Sequence, residues 1–169
     1  IVTPESGSIM VDETDLARLN DSQRRQFRIR NIGQVFQTFE LLKYLTVAEN
    51  VALPNRVEKT CGNKDELRQH VARLLQEVGL ELKSGAYPEQ LSQGEQQRIA
   101  VCRAMFNRPR LLLADEPTGN LDQANKQNVV DLLINQARDS GSTLLMVTHD
   151  RSLLSSFSRV LDMPSVIGS

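Results

Sequence analysis

The chain has 169 residues, 40% of them hydrophobic, and a formal net charge of −1. This length accommodates one sizeable core, and the near-neutral charge excludes the strongly basic surface expected of a nucleic-acid-binding protein. No apolar run approaches the ~18 residues of a membrane span, no basic-then-apolar leader opens the sequence, and the two cysteines are isolated, so we expect a cytoplasmic domain with reduced thiols.

The first predicted elements are short. Residues 7–11 predict a turn and a short strand, followed by a polar stretch through Arg30. Ile32–Phe36 is a compact apolar run that predicts a strand ending at Gln37.

A helix is predicted after Asn63. Asn63 is a suitable N-cap, and Glu66 follows it at the spacing of a capping box. Gly79 is a plausible stop. The apolar residues between them recur at helical spacing: Leu67, Val71, Leu74, Leu75 and Val78.

The second half alternates helices and strands. Helices are predicted over residues 93–107 and 124–138, the latter closed near Gly141. Leu111–Asp115 and Thr143–Val147 are apolar runs typical of buried parallel strands. The strand–helix–strand order after Arg110 indicates an α/β fold.

Two acids end the first of these strands. Asp115 and Glu116 are expected at the carboxyl edge of the sheet, where α/β proteins bind ligands. One carboxylate can hold Mg²⁺, directly or through water, and the other can deprotonate an attacking water. Strand ends are also often acidic simply because they reach solvent, so this pair alone leaves both interpretations open.

Four segments of the sequence decide between these two interpretations. Residues 35–37 read VFQ, residues 91–98 read LSQGEQQR, residues 115–122 read DEPTGNLD and residues 147–150 read VTHD. The sequence resembles the ABC ATPase family, with its Q-loop, signature, Walker B, D-loop and His switch in the family's order. Residues 114–122, which read ADEPTGNLD, together with residues 39–42 and 45–51, are most similar to the lipoprotein-release and macrolide-export branch.

The resemblance implies a P-loop NTPase-type parallel sheet with helices on both faces. It implies one domain over residues 1–169, incomplete at its N-terminus. Within that domain we expect a helical signature subdomain over residues 38–107. The core subdomain would consist of residues 1–37 and 108–169.

The resemblance also implies ATP and Mg²⁺ as cofactors and gives roles to four residues. Asp115 would hold Mg²⁺, and Glu116 would be the general base. Gln37 would contact both the metal and the attacking water, and His149 would contact the γ-phosphate.

Four further residues would act on the ATP of a partner subunit. Ser92 and Glu95 have capping-box spacing before a helix, and a helix N-terminus is an anion site. Ser92 and Gly94 match the usual LSGGQ signature of the family, whereas Gln93 and Glu95 depart from it. Asp122 would belong to the D-loop, which crosses the dimer interface.

The sequence has no GxxxxGK[ST] phosphate loop, and Gly62-Asn63-Lys64 fails the spacing. In the family this loop precedes the Q-loop, so we expect it upstream of Ile1 and expect the chain as given to be inactive. The resemblance implies a homodimer bound to a membrane permease, hence peripheral attachment at the inner face of the cell membrane. A non-hydrolysing binding or regulatory module and a soluble non-transport ABC ATPase are the alternatives.

The segment after Gln37 is crowded with apolar residues in a polar setting. It predicts either a permease-docking surface or part of the helical core, and the sequence leaves both open. The residues concerned are Phe39, Leu41, Leu42 and Tyr44.

Overall fold

The computed structural model describes Pro4 and residues 6–163, without the side chains of Gln123 and Ala124. The strands are β1 (Met10–Val11), β2 (Thr14–Asp15), β3 (Ile32–Phe36), β4 (Leu111–Asp115) and β5 (Thr143–Val147). The α-helices are α1 (Asp21–Asn31), α2 (Val47–Val51), α3 (Leu53–Val57), α4 (Lys64–Glu77), α5 (Gln93–Met105) and α6 (Gln123–Ser140). Short 3₁₀ helices cover Leu16–Arg18, Glu81–Lys83, Pro88–Gln90 and Arg151–Ser156.

The main sheet has three parallel strands in the order β3-β4-β5. All three have the bounds predicted from their apolar runs, and the predicted α/β class with a parallel sheet is confirmed. Val35, Leu112 and Ala114 point to the face where α5 and α6 pack. On the other face Leu145 and Val147 are 52% and 56% exposed.

Two clusters of buried side chains share α5. Ile99 and Cys102 of this helix and Phe106, which directly follows it, pack with α2 and α4 in a helical core. Val101 and Met105 of the same helix pack with the sheet and α6. The division agrees with a helical unit beside a sheet unit, and the boundaries at residues 38 and 107 stay a prediction.

The capping box predicted at α4 is only half formed. The Asn63 side chain accepts hydrogen bonds from the amides of Asp65 and Glu66, as an N-cap does. Glu66 instead accepts from the amide of Gly62, at 2.8 Å. The predicted stop is confirmed, because Gly79 has φ +68°, which a glycine adopts without strain.

Helix α1 was not predicted. The stretch before Arg30 looks polar because α1 contains no buried residue, so it has no apolar periodicity to detect. Its start is nevertheless marked by a capping box between Asn20 and Gln23. No helix in the described part of the chain is both long and apolar enough to cross a membrane.

Candidate active site

The strand register brings three loops to one edge of the sheet. Phe36, Asp115 and Val147 are paired side by side at the carboxyl ends of β3, β4 and β5. Gln37, Glu116 and Thr148 therefore begin three neighbouring loops, and His149 follows. Residues far apart in the sequence meet at the edge where parallel sheets bind ligands.

Glu116 has a left-handed backbone, with φ +45°. This conformation is uncommon for residues other than glycine, and where it occurs it clusters at functional sites. The Glu116 amide donates to the carbonyl of Val147 at 3.0 Å, which extends the pairing of β4 with β5 by one residue. The turn directs the carboxylate toward the loop that follows β5.

The Glu116 carboxylate contacts His149 twice through one oxygen. Oε1 accepts from the His149 amide at 2.9 Å and lies 2.8 Å from ring Nδ1. Because an ionised carboxylate can only accept, Nδ1 carries the proton in that state. The His149 side chain is 79% exposed, so its Nε2 edge is accessible to a ligand.

The other oxygen of Glu116 is buried and has no partner. Within the described residues, Oε2 is a carboxylate oxygen shielded from solvent without a hydrogen-bond donor. Leaving such an atom unsatisfied costs about 1–3 kcal/mol, so it requires an explanation. A small movement of the loop that admits a water molecule would give Oε2 a hydrogen-bond donor.

Gln37 is held by the loop that follows Glu116. The Asn120 side-chain amide donates to the Gln37 carbonyl at 2.9 Å, and its Oδ1 lies 3.5 Å from Gln37 Nε2. A Cβ on Gly119 would lie 2.6 Å from Gln37 Nε2, so only glycine fits there without a shift. From the sequence, Asn120 was assigned no role at this site, because no local pattern reveals a contact between residues 83 positions apart.

Arg103 is a second residue that sequence reasoning missed. Its guanidinium, on α5, donates to the carbonyls of Phe39 and Glu40. These two residues have φ +58° and +51°, so Arg103 stabilises a strained turn just after Gln37. Burial lowers the pKa of Arg103, with Glu40 opposing that effect.

The predicted capping box at α5 is confirmed. The Ser92 hydroxyl accepts from the Glu95 amide at 3.3 Å, and Glu95 Oε2 accepts from the Ser92 amide at 2.9 Å. Lys83 donates to Oε1 of Glu95. Lys83 and the Ser92 amide, in that order, lower the pKa of Glu95.

The start of α5 lies against the start of α6. A Cβ on Gly94 would approach Oδ1 of Asn125 to 3.2 Å. Asp122 is the N-cap of α6, and its carboxylate accepts from both the amide and the side chain of Asn125. Among the described residues, no hydrogen bond joins Ser92, Gly94 or Glu95 to Glu116 or His149.

Asp115 offers the carboxylate that a metal would need. It is exposed at the end of β4, and its carboxylate makes no hydrogen bond or ion pair with the other described residues. No group of three or more acidic, histidine or cysteine side chains in that part of the chain could enclose a metal. Mg²⁺ bound to a nucleotide needs only one or two carboxylates beside its phosphates, so Asp115 fits that ion.

The family model for ABC transporters matches residues 1–119. This chain belongs to the ABC transporter family. The methionine import ATP-binding protein MetN of Histophilus somni is 44% identical over 164 residues, 97% of this chain and 46% of that protein. The lipoprotein-releasing system ATP-binding protein LolD of Hyphomonas neptunium is 40% identical over 95% of this chain and 69% of that protein.

Solved ABC cassettes have the same fold. The cassette MJ0796, in a dimeric post-hydrolysis state bound to ADP and Pi, superposes with a TM-score of 0.77. It is 34% identical, and the match covers 90% of this chain and 66% of that one. The expected family is therefore confirmed, with ATP and Mg²⁺ as its cofactors, and the predicted lipoprotein-release branch appears among the relatives beside a methionine importer.

Proposed function

We propose that this chain is the catalytic part of an ATP-hydrolysing subunit of an ABC transporter. The observation that carries the proposal is the Glu116–His149 pair at the carboxyl edge of the sheet, beside Asp115 and Gln37. The Glu116 carboxylate is fixed through one oxygen beside the proposed metal ligand, and its second oxygen has no donor, so it can accept a proton once a water molecule reaches it.

Each residue at this edge has a distinct part in the proposal. Oε2 of Glu116 accepts the proton of the attacking water, while His149 holds Oε1 and so fixes the direction of the carboxylate. His149 turns its Nε2 edge to the γ-phosphate, and it donates there when the ring is protonated. Gln37 orients the attacking water from the neighbouring loop.

Asp115 would hold Mg²⁺ together with Gln37. The bound ion would neutralise charge on the phosphates. Asp115 stands one residue before Glu116, so the general base and the metal ligand come from the same strand end. This arrangement needs no further carboxylate cluster.

The start of α5 is proposed to act on the nucleotide of a second subunit. Ser92 and Gly94 begin a 13-residue helix, whose free amides and positive dipole end favour an anion. Glu95 is occupied by its cap and by Lys83, so we place it beside this anion site as a support. Asp122 would lie in the D-loop at the same interface, which supports a homodimer.

The transporter context comes from the relatives. MetN and LolD are named as ATP-binding proteins of import and release systems, respectively. We infer that this chain likewise binds a membrane permease and works at the inner face of the cell membrane. The permease would select the transported molecule.

One feature of the sequence favours the alternative that this chain is a non-hydrolysing binding module. Without GxxxxGK[ST] in its 169 residues, the chain has no recognisable cradle for the β- and γ-phosphates. A non-hydrolysing binding module would share this feature. It would not need the strained Glu116 or its contact with His149, which favour the hydrolytic proposal.

The test compares Glu116→Gln with the unchanged protein made from its complete gene. A glutamine keeps the shape of Glu116 but cannot accept the proton, so hydrolysis should fall by about 10²–10⁴-fold while ATP binding persists. Steady-state phosphate release and nucleotide binding measure the two effects. Turnover within about threefold of the unchanged protein would remove Glu116 from this role.

A further inference from the structure

An ion pair joins the start of α6 to the loop that carries His149. Nζ of Lys126 donates to Oδ2 of Asp150 at 2.7 Å. The two side chains are 22% and 19% exposed, and no other ion pair of the described residues has both partners below one quarter. Partial burial shields the pair from the salt that screens surface pairs.

Asp150 is fixed rigidly within its own loop. Its Oδ1 accepts from the amide and the hydroxyl of Ser152, and its amide donates to the Thr148 hydroxyl. The contacts of Lys126 and then Ser152 lower the pKa of Asp150 from its ordinary 3.8 to about 2. A carboxylate held in this way transmits a displacement of Lys126 to the backbone beside it.

That backbone belongs to His149, the residue before Asp150. His149 contacts Oε1 of Glu116 through both its amide and its ring. The chain of contacts therefore runs from Lys126 to Asp150 and through one peptide bond to the Glu116–His149 pair.

Helix stability does not explain a lysine at position 126. Lys126 is in the first turn of α6, where the positive end of the helix dipole disfavours a cation. The N-cap is already supplied by Asp122, whose carboxylate accepts from the Asn125 amide. The favourable interaction of Lys126 is the one with Asp150.

We propose that Lys126 is a positioning residue that keeps His149 against Glu116 by holding Asp150. The proposal rests on the proposed function, in which the segment around Asp122 faces a second ATPase subunit. A movement of the start of α6 would then pass through Lys126 to the general base.

The first experiment measures the His149 ring directly, without turnover. In the protein made from its complete gene, ring ¹⁵N signals are compared among the unchanged protein, Lys126→Met and Lys126→Arg. We expect Lys126→Met to shift the His149 signals and Lys126→Arg to restore them. His70 is an internal reference, because its ring is held by Phe106 and Arg73 on the helical unit.

The second experiment measures kinetics on the same variants. Lys126→Met should lower kcat about tenfold while KM for Mg-ATP stays within about threefold, because it disturbs the base and, of the proposed nucleotide contacts, only that of His149. Lys43→Met is the matched control, since Lys43 pairs with Glu89 at 3.9 Å on an exposed surface. If Lys126→Met does not fold, Asp150→Asn replaces it, because asparagine keeps the oxygen that Ser152 contacts.

Unchanged His149 signals in a folded Lys126→Met or Asp150→Asn protein would overturn the proposal. So would Lys126→Met turnover equal to that of Lys43→Met. An unchanged protein that hydrolyses no ATP would refute the proposed function instead, and the ring signals would still decide the role of Lys126.

Discussion

Glu95 has two separate contacts at the start of α5. Its Oε2 closes the capping box with Ser92, and its Oε1 accepts from Lys83. The sequence predicted the first contact from spacing alone. The second joins residues 12 apart through the loop before the signature, so only the folded chain reveals it.

Substitutions of Glu95 should separate these contacts by their effect on stability. Glu95→Ala removes both and should lower the free energy of unfolding by about 0.5–2 kcal/mol, the range for a lost cap. Glu95→Gln keeps an oxygen for the Ser92 amide and loses only the ion pair, so its cost should be smaller. Urea denaturation of the complete protein measures both values. A Glu95→Gln protein as unstable as Glu95→Ala would contradict the capping role.

The lowered pKa of Glu95 determines how the contribution of this residue to the free energy of unfolding varies with pH. The folded state favours the ionised form, so the stabilisation is present above the ordinary pKa of 4.5 and is lost as the pH falls. The stability difference between Glu95→Gln and the unchanged protein should therefore shrink in acid.

Among the strands of the main sheet and the helices longer than ten residues, those with an apolar pattern were predicted and the one without it was not. β3, β4 and β5 are short apolar runs, of which β3 and β4 bury residues on one face and β5 is only partly covered there, so composition alone marks their ends. Helix α1 has no buried residue and left no such signal. Apolar periodicity in a sequence reflects the burial of side chains, so an element that buries few of them gives no such signal.

The residues of the candidate site also fall into those that the sequence predicted and those that it did not. Asp115, Glu116 and His149 were placed because each lies at or just beyond the end of a predicted strand and matches a family motif. The residues that hold the site together, Asn120, Arg103 and Lys126, act across long sequence separations. Sequence pattern predicts which residues end a strand, but pairwise contacts between loops depend on tertiary packing.

The segment after β3, residues 38–44, contains both buried and exposed side chains. Phe39 is buried, and Leu41 packs against the helical core. Tyr44 is 75% exposed. The buried Asn50 holds this segment by bonding the Leu42 backbone at both its amide and carbonyl. Tyr44 is therefore the residue of this segment through which we propose that the chain meets a permease.

Two substitutions should distinguish docking from core packing. Tyr44→Glu leaves the fold intact and should abolish stimulation of ATP hydrolysis by the permease while sparing basal turnover. Phe39→Glu puts a charge in a buried position and should unfold the protein. Basal and permease-stimulated phosphate release, with circular dichroism as the fold control, make the comparison. A Tyr44→Glu protein that is stimulated normally would exclude Tyr44 from docking.

At the scale of the whole molecule, the sheet is incompletely covered. In the described residues β5 pairs only with β4, and Leu145 and Val147 are exposed on the face away from α6. A strand with one unpaired edge and an exposed apolar face is prone to pair with other chains. We expect the 169-residue chain expressed alone to be poorly soluble.

The same chain should neither bind ATP tightly nor hydrolyse it. Asp115, Gln37 and His149 could contact a metal–phosphate group, but fixed positioning and charge stabilisation supply nearly all of phosphoryl-transfer catalysis. Backbone amides and a lysine in a GxxxxGK[ST] loop provide that positioning, and no such loop occurs in these 169 residues. Calorimetry with Mg-ATP should therefore detect binding only in a version extended upstream through such a loop. The matched control is that extended version with the loop lysine replaced by alanine, which should bind far more weakly. Micromolar binding by the 169-residue chain would mean that the edge formed by β3, β4 and β5 holds the nucleotide without the cradle.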